Sequence, residues 1–353
     1  MRPRFFRSLG ALALAIPLAW TVGVTAQGQT ASARKTASAS KTWTPPRMPD
    51  GHPDLRGVWA NNSVTPLERP KQWAGKKVLT DDELAELKTL TAEVVEGDQD
   101  AVFGDSLVLA ALEHKKNPIS YDPGTGNYNN FWLAGRDVED HRTSLITDPE
   151  DGRLPSMTPA ARARQAAAAA QKKQHPFDNP EDLALGERCV NFGVPKLGAG
   201  YNNYYQIVQS PGYVVMMSEM AHDARIIPLD GRSHLNDNIR LWNGDPRGRW
   251  EGDTLVVETT NFSPKSEFRG SHENLRLVER FTLVGPTTLN YDVTVTDPTT
   301  WTKPWTAMVP LKGTDDAIYE YACHEGNHAM IGILKGHRVQ EKEVEDGVKS
   351  RPR

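Results

Sequence analysis

Residues 324 to 328, His324-Glu325-Gly326-Asn327-His328, fit the H-E-x-x-H pattern of zinc hydrolases. That pattern works when i and i+4 on a helix put both imidazoles on one face, with the Glu beside the metal-bound water. Here Gly326 and Asn327 occupy the middle of the turn, and a helix-interior glycine costs about 1 kcal/mol relative to alanine. A helix beginning at Asn327 would leave His324 outside it, and His337 does not stand at the metzincin spacing from His328. The residues fit a polar turn after a strand better than a zinc site on His324 and His328, with His324 and Glu325 at the rim of a cavity.

Two carboxylates suggest general acid-base chemistry. In "LRLVERFTL", Leu275, Leu277, Phe281 and Leu283 share a face with Glu279, and in "YVVMMSE", Glu219 continues the face of Tyr213, Val215 and Met217. If both faces point inward, desolvation disfavours the charged carboxylates and prepares them for proton transfer. The competing reading is structural ion pairing with an arginine such as Arg225 or Arg280. "EMAHDARIIPLDGRSH" gathers His222, Asp223, Arg225, Asp230, Arg232 and His234. His222 beside Asp223 is a possible oriented base and Arg225 a carboxylate holder, whereas Asp230-Gly231 reads as a turn.

Aromatic faces near a cavity mouth suit flat or sugar-like ligands. Trp250, Trp301 and Trp305 stand beside Pro and Gly rather than in strand centres, and together with Trp132, Tyr321, Arg225 and Arg247 they are the ligand-binding candidates. Packing in a core is the alternative for each tryptophan. No nucleophile elbow, phosphate-binding loop or dinucleotide-binding glycine pattern occurs, so no cofactor is expected.

These residues need elements to position them. Gly57-Val58-Trp59 opens a first strand near 57–61, Thr80-Asp81-Asp82-Glu83 caps a helix through about Val95, and Thr158-Pro159 opens an alanine-rich surface helix closed by His175-Pro176. The intervening loop carries Tyr121, Tyr128, Phe131 and Trp132, which suits a segment covering a site or packed on the surface. From Tyr204 onward "YQIVQ", "YVVMMSE", "ARIIPL", "TLVVETT", "LRLVERFTL", "TLNYDVTVT", "TAMVPL" and "AIYEYAC" are runs of strand length separated by turn signals. Short connections imply antiparallel neighbours, and eight such strands predict a mainly β fold, an up-and-down barrel or else a sandwich. The expected organisation is a signal peptide over 1–26, a flexible tether over 27–45, a loop-and-helix wrapping region over 46–187, an antiparallel β domain over 188–342 and a charged tail over 343–353.

The leader rests on Arg2, Arg4 and Arg7 ahead of an apolar run from Leu9 to Val24 and a small-residue cleavage site at Ala26. That run is shorter than the ~20 apolar residues of a spanning helix, so a periplasmic or extracellular protein without stable membrane insertion is expected. Cleavage moves the formal charge from -4 to -7, and no basic stripe offsets it, which argues against nucleic acid as a partner. Cys189 and Cys323 are the only cysteines, and an even count in an oxidising compartment favours a disulfide over two buried thiols.

The motifs "PDLRGVW", "RTSLITDP", "ARIIPLDGR", "RGRWEGDTLVVETTNF", "DPTTWTKPWT" and "EYACHEGN" resemble those of a family of exported bacterial proteins. The resemblance covers nearly the whole mature chain and brings no chemistry with it. More loosely, Gly-x-Trp followed by a meander resembles lipocalin-type (calycin) barrels, which implies a cavity for one small ligand. The expected function is a cofactor-independent acid-base enzyme on a small organic or carbohydrate ligand, with Glu219, His222, Glu279, His324 and Glu325 as candidate catalytic groups. The alternatives are a binding module using the same cavity and the zinc hydrolase.

Overall fold

Strict alternation produces the strand Thr288–Thr296, in which Leu289, Tyr291, Val293 and Val295 are buried while Asn290, Asp292 and Thr294 are half-exposed. The computed structural model describes residues 43–96, 102, 105–115, 135–200 and 202–347. The predicted leader, the tether up to Thr42, and Tyr121, Tyr128, Phe131 and Trp132 lie outside the described residues. The elements run β1 Gly57–Ala60, α1 Asp81–Val94, α2 Asp105–Leu112, β2 Ile146–Asp148, α3 Pro159–Gln174, β3 Tyr204–Ser210, β4 Tyr213–Ser218, β5 Ala224–Pro228. They continue with β6 Asp245–Glu251, β7 Thr254–Thr260, β8 Arg276–Gly285, β9 Thr288–Thr296, β10 Trp305–Thr314 and α4 His328–Glu345.

All ten strands form one antiparallel sheet in the order β5-β4-β3-β1-β10-β9-β8-β7-β6, with β2 paired to β10. Its apolar face gathers Ile207, Val214, Met216, Ile227, Leu255, Val257, Leu277, Phe281, Tyr291, Val309 and Trp305 into a single core. The sheet is rolled: Arg225 on the edge strand β5 reaches Glu279 on β8 and Thr259 on β7. Its two ends meet through side chains, since a Cβ at Gly248 of β6 would lie 2.6 Å from Leu229 and 2.7 Å from Ile227. Among the described residues no ladder joins β5 to β6, so the sheet is not closed into the expected up-and-down barrel and the fold is an open, rolled sheet. Pro228 and Pro246 on the two edges lack the N–H that a closing ladder would need.

The helices follow their end signals. Thr80 caps α1 in a full capping box, its hydroxyl accepting from Glu83 N at 3.3 Å and the Glu83 carboxylate accepting from Thr80 N at 2.9 Å. Helix α2 and α1 share a second apolar cluster that includes Leu84, Leu87, Leu107 and Val108. Thr158 caps α3, whose sole buried residue is Ala161, as an alanine-rich surface helix requires. The chain departs from expectation after β10. "AIYEYAC" is irregular rather than a strand, and residues 328–345, which were expected to hold the end of the β domain and the start of a charged tail, are helix α4. Asn327 caps it by accepting from Met330 N at 3.3 Å, and the following run is rich in helix formers. The first strand expected near 57–61 is β1, which the N-terminal half inserts between β3 and β10.

Cys189 and Cys323 form a disulfide with Cα atoms 5.6 Å apart across a separation of 134 residues. Closing so long a loop stabilises the fold by about 2–4 kcal/mol. The bridge also ties the C-terminal segment to the stretch 189–196, which delivers part of the candidate site. Among the described residues no helix is long and apolar enough to cross a membrane.

Candidate functional site

Strand β4 points Val214, Met216 and Ser218 into the roll and leaves Tyr213, Val215 and Met217 outward. Asp223 stands opposite Ser218, whose N–H donates to the Asp223 carbonyl at 2.9 Å. The turn between them holds Ala221 at φ 59° and His222 at φ 43°, a left-handed conformation that non-glycine residues seldom adopt. Over this hairpin end lies the segment that follows Cys189. Asn191 is buried, donates from Nδ2 to Asp223 Oδ2 at 3.1 Å and to Asn243 Oδ1 at 3.0 Å, and accepts from Gly193 N at 2.7 Å. Gly193, at φ 73°, turns the chain so that Lys196 enters the roll.

Lys196, Ser218, Asp223, Arg225, Tyr205 and Tyr291 line a narrow cavity of about 30 Å³, with Met216, Phe281 and Leu311 as apolar wall. Lys196 Nζ donates to Ser218 Oγ at 2.5 Å and reaches the Met220 carbonyl at 3.4 Å. Burial disfavours its ammonium and pushes its pKa down to about 8, against the opposing field of Asp223. Burial raises the Asp223 carboxyl, partly offset by Lys196 and by a hydrogen bond from Asn243. Both groups are thus driven toward their neutral forms.

On the opposite wall Glu279 is fully buried and its oxygens are occupied. They accept from Arg225 Nη1 at 2.9 Å and Nη2 at 2.5 Å, from Tyr291 Oη at 2.9 Å and from Thr259 Oγ1 at 3.3 Å. Burial alone would lower the pKa of Arg225, but the Glu279 carboxylate outweighs it and the guanidinium is held charged. Burial also raises the phenols of Tyr205 and Tyr291, so both remain donors at neutral pH. A carboxylate so fully engaged orients its neighbours. The ion pair with Arg225 that the sequence suggested for Glu279 is present.

The structure scatters the remaining candidates. Glu219 is buried outside the cavity lining, where its Oε1 accepts from Tyr319 N at 3.1 Å. The face of Tyr213, Val215 and Met217 that it was expected to continue is the outward one, because "YVVMM" is apolar on both faces, and Glu219 is buried beyond the strand end at Ser218. His222 is exposed, and His324 and Glu325 lie in an exposed turn. Helix α4 begins at His328, so His324 precedes it and the two histidines do not share a helix face. Among the described residues the one cluster with metal-ligand spacing is Asp178, His337 and Glu341, and Arg338 sits within 3.8 Å of Asp178 and 3.2 Å of Glu341 as their ion-pair partner.

Of the ligand-binding candidates among the described residues, only Arg225 lines this cavity. Arg247 is held by Asp245 at 2.5 Å and the Ser233 carbonyl at 3.0 Å, and Trp250 stacks on His52 with centroids 4.7 Å apart. Trp301 and Trp305 pack edge to face in the core, correcting their expected place at a cavity mouth. Tyr321 packs edge-on against Phe192, whose ring lies under Lys196 Nζ at 6.0 Å, and Trp132 lies outside the described residues. Sequence reasoning brought Arg225 and Glu279 forward and passed over Lys196 and Ser218. Nothing in "NFGVPKLGAG" marks its lysine, and Ser218 gains meaning only from the strand phase. Comparison with family models, curated proteins and solved structures finds no match for the chain.

Proposed function

We propose that the protein is an exported, cofactor-independent enzyme that performs acid-base chemistry on a small organic ligand bound inside the rolled sheet. The observation that carries this reading is Lys196, an amine lining the cavity, hydrogen-bonded to Ser218 and shifted to about 8, where it exchanges a proton near working pH. Arg225 and Tyr205 offer polar groups to orient a ligand, and Met216, Phe281 and Leu311 give it an apolar bed. Export fits the disulfide and the leader-like start of the sequence. The same apolar wall supports a second reading, a binding module that holds a ligand without turning it over.

A panel of small esters, lactones, carbonyl compounds and sugars, followed by NMR for binding and conversion, separates the two. Turnover that rises with pH through about 8 and falls at least 100-fold in Lys196→Met supports the enzyme. Turnover indifferent to both pH and Lys196→Met rules it out, and binding without conversion favours the module.

A further inference from the structure

We infer that Ser218 is a nucleophile activated by Lys196 and that the cavity hydrolyses small carboxylic esters, an inference that rests on the acid-base reading above. Three observations support it. Ser218 Oγ and Lys196 Nζ are 2.5 Å apart, within the reach that nucleophile and base require. Among the described residues Lys196 Nζ makes no ion pair with a carboxylate, so the serine hydroxyl is its principal partner. Arg225 lines the cavity, and its buried Nε is a donor that meets no acceptor among the described residues, although both Nη atoms are engaged. A donor on that wall suits a carbonyl oxygen that gains negative charge during attack. The depressed lysine supplies neutral amine for this role at mildly alkaline pH.

In the first half-reaction Lys196 Nζ takes the Ser218 Oγ proton as Oγ bonds to the ester carbonyl carbon. The carbonyl–alkoxy bond then breaks, the Lys196 ammonium returns its proton to the leaving alkoxide, and acyl-Ser218 remains. In the second, Lys196 takes a proton from water, whose oxygen bonds to the acyl carbon. The Ser218 Oγ–acyl bond breaks, and Oγ recovers the proton. The sum is ester plus water giving acid plus alcohol. Orientation comes from the anchoring of both residues: Ser218 ends a paired strand, and Lys196 follows the segment fixed by Asn191 and the Cys189–Cys323 bridge. Met216, Phe281 and Leu311 wall the cavity closely, so only the smallest apolar acyl or alcohol groups suit it.

The test is reaction of the oxidised, folded protein with a small alkyl fluorophosphonate, with the adduct located by peptide mass mapping and p-nitrophenyl acetate hydrolysis followed in parallel. One adduct per chain is expected on the peptide bearing Ser218, at a rate that rises about tenfold from pH 6 to pH 7 and levels above the lysine pKa of about 8. Lys196→Met is expected to slow labelling at least 100-fold, and Ser218→Ala to abolish it. If either variant fails to fold, the mapped site and pH profile of the natural protein still decide. No adduct at Ser218 by pH 9, or an adduct on Lys196 instead, overturns the dyad. If ligand turnover nevertheless depends on Lys196, the acid-base reading survives that loss; if it does not, both fall.

Discussion

Replacing Glu279 by leucine is expected to lower stability by about 3–5 kcal/mol, because the substitution leaves the Arg225 guanidinium buried with no countercharge. Glu279 is 0 % exposed and Arg225 9 %, so water cannot take over the missing partner. Tyr291 and Thr259 would each lose an acceptor in the same step. The double variant Arg225→Met with Glu279→Leu removes both charges, and is expected to recover most of that loss, since well-packed apolar residues replace buried ion pairs at little cost. Denaturant unfolding of the three proteins checks this. A loss under about 1 kcal/mol in the single variant would show that the pair is hydrated or is not formed.

Lys196→Met is expected to change the pH dependence of stability. The folded pKa of about 8 lies below the ordinary lysine value of 10.5, so between those values the unfolded chain holds a proton that the folded chain has released. Stability attributable to Lys196 therefore rises with pH through that window, and below it the full cost of burying the ammonium remains. A shift of that size corresponds to a cost on the order of 3 kcal/mol at pH 7. The variant lacks this cost, so it is expected to be the more stable protein at pH 7 and to lose that advantage as pH approaches about 10.5. Tyr205 and Tyr291, whose phenols burial raises, titrate in both proteins and cancel in the difference. Paired unfolding curves from pH 7 to pH 10.5 read the effect; a constant difference across that range would mean that Lys196 titrates normally.

How far the sequence reveals this architecture depends on the kind of signal. Strand β9 and helix α1 are legible because alternation and a capping box are local statements about burial and backbone hydrogen bonds. Strand β6 escapes because Pro246 and Gly248 read as turn residues, whereas in the fold one spares an edge N–H and the other admits the Ile227 and Leu229 side chains. The final helix was hidden by the β-like "AIYEYAC" before it and by the zinc-like histidines at its start. Within the site, Glu279 could be placed on an apolar face, but its answering arginine arrives from the far end of the sheet order. Lys196 and Ser218 are farther still from local inference, since their meeting depends on the rolled sheet and on the stretch that follows Cys189.

The titration of Lys196 itself is the property on which the site depends most directly. Selective ¹⁵N labelling of lysine, with the Lys196 Nζ signal assigned by Lys196→Met and followed from pH 6 to pH 11, measures it in the folded protein. A midpoint near 8, moving when Ser218 is replaced by alanine, is the result expected of an amine held in the cavity against the serine hydroxyl. A midpoint near the ordinary 10.5, unmoved by Ser218→Ala, would place the ammonium in water and contradict the site.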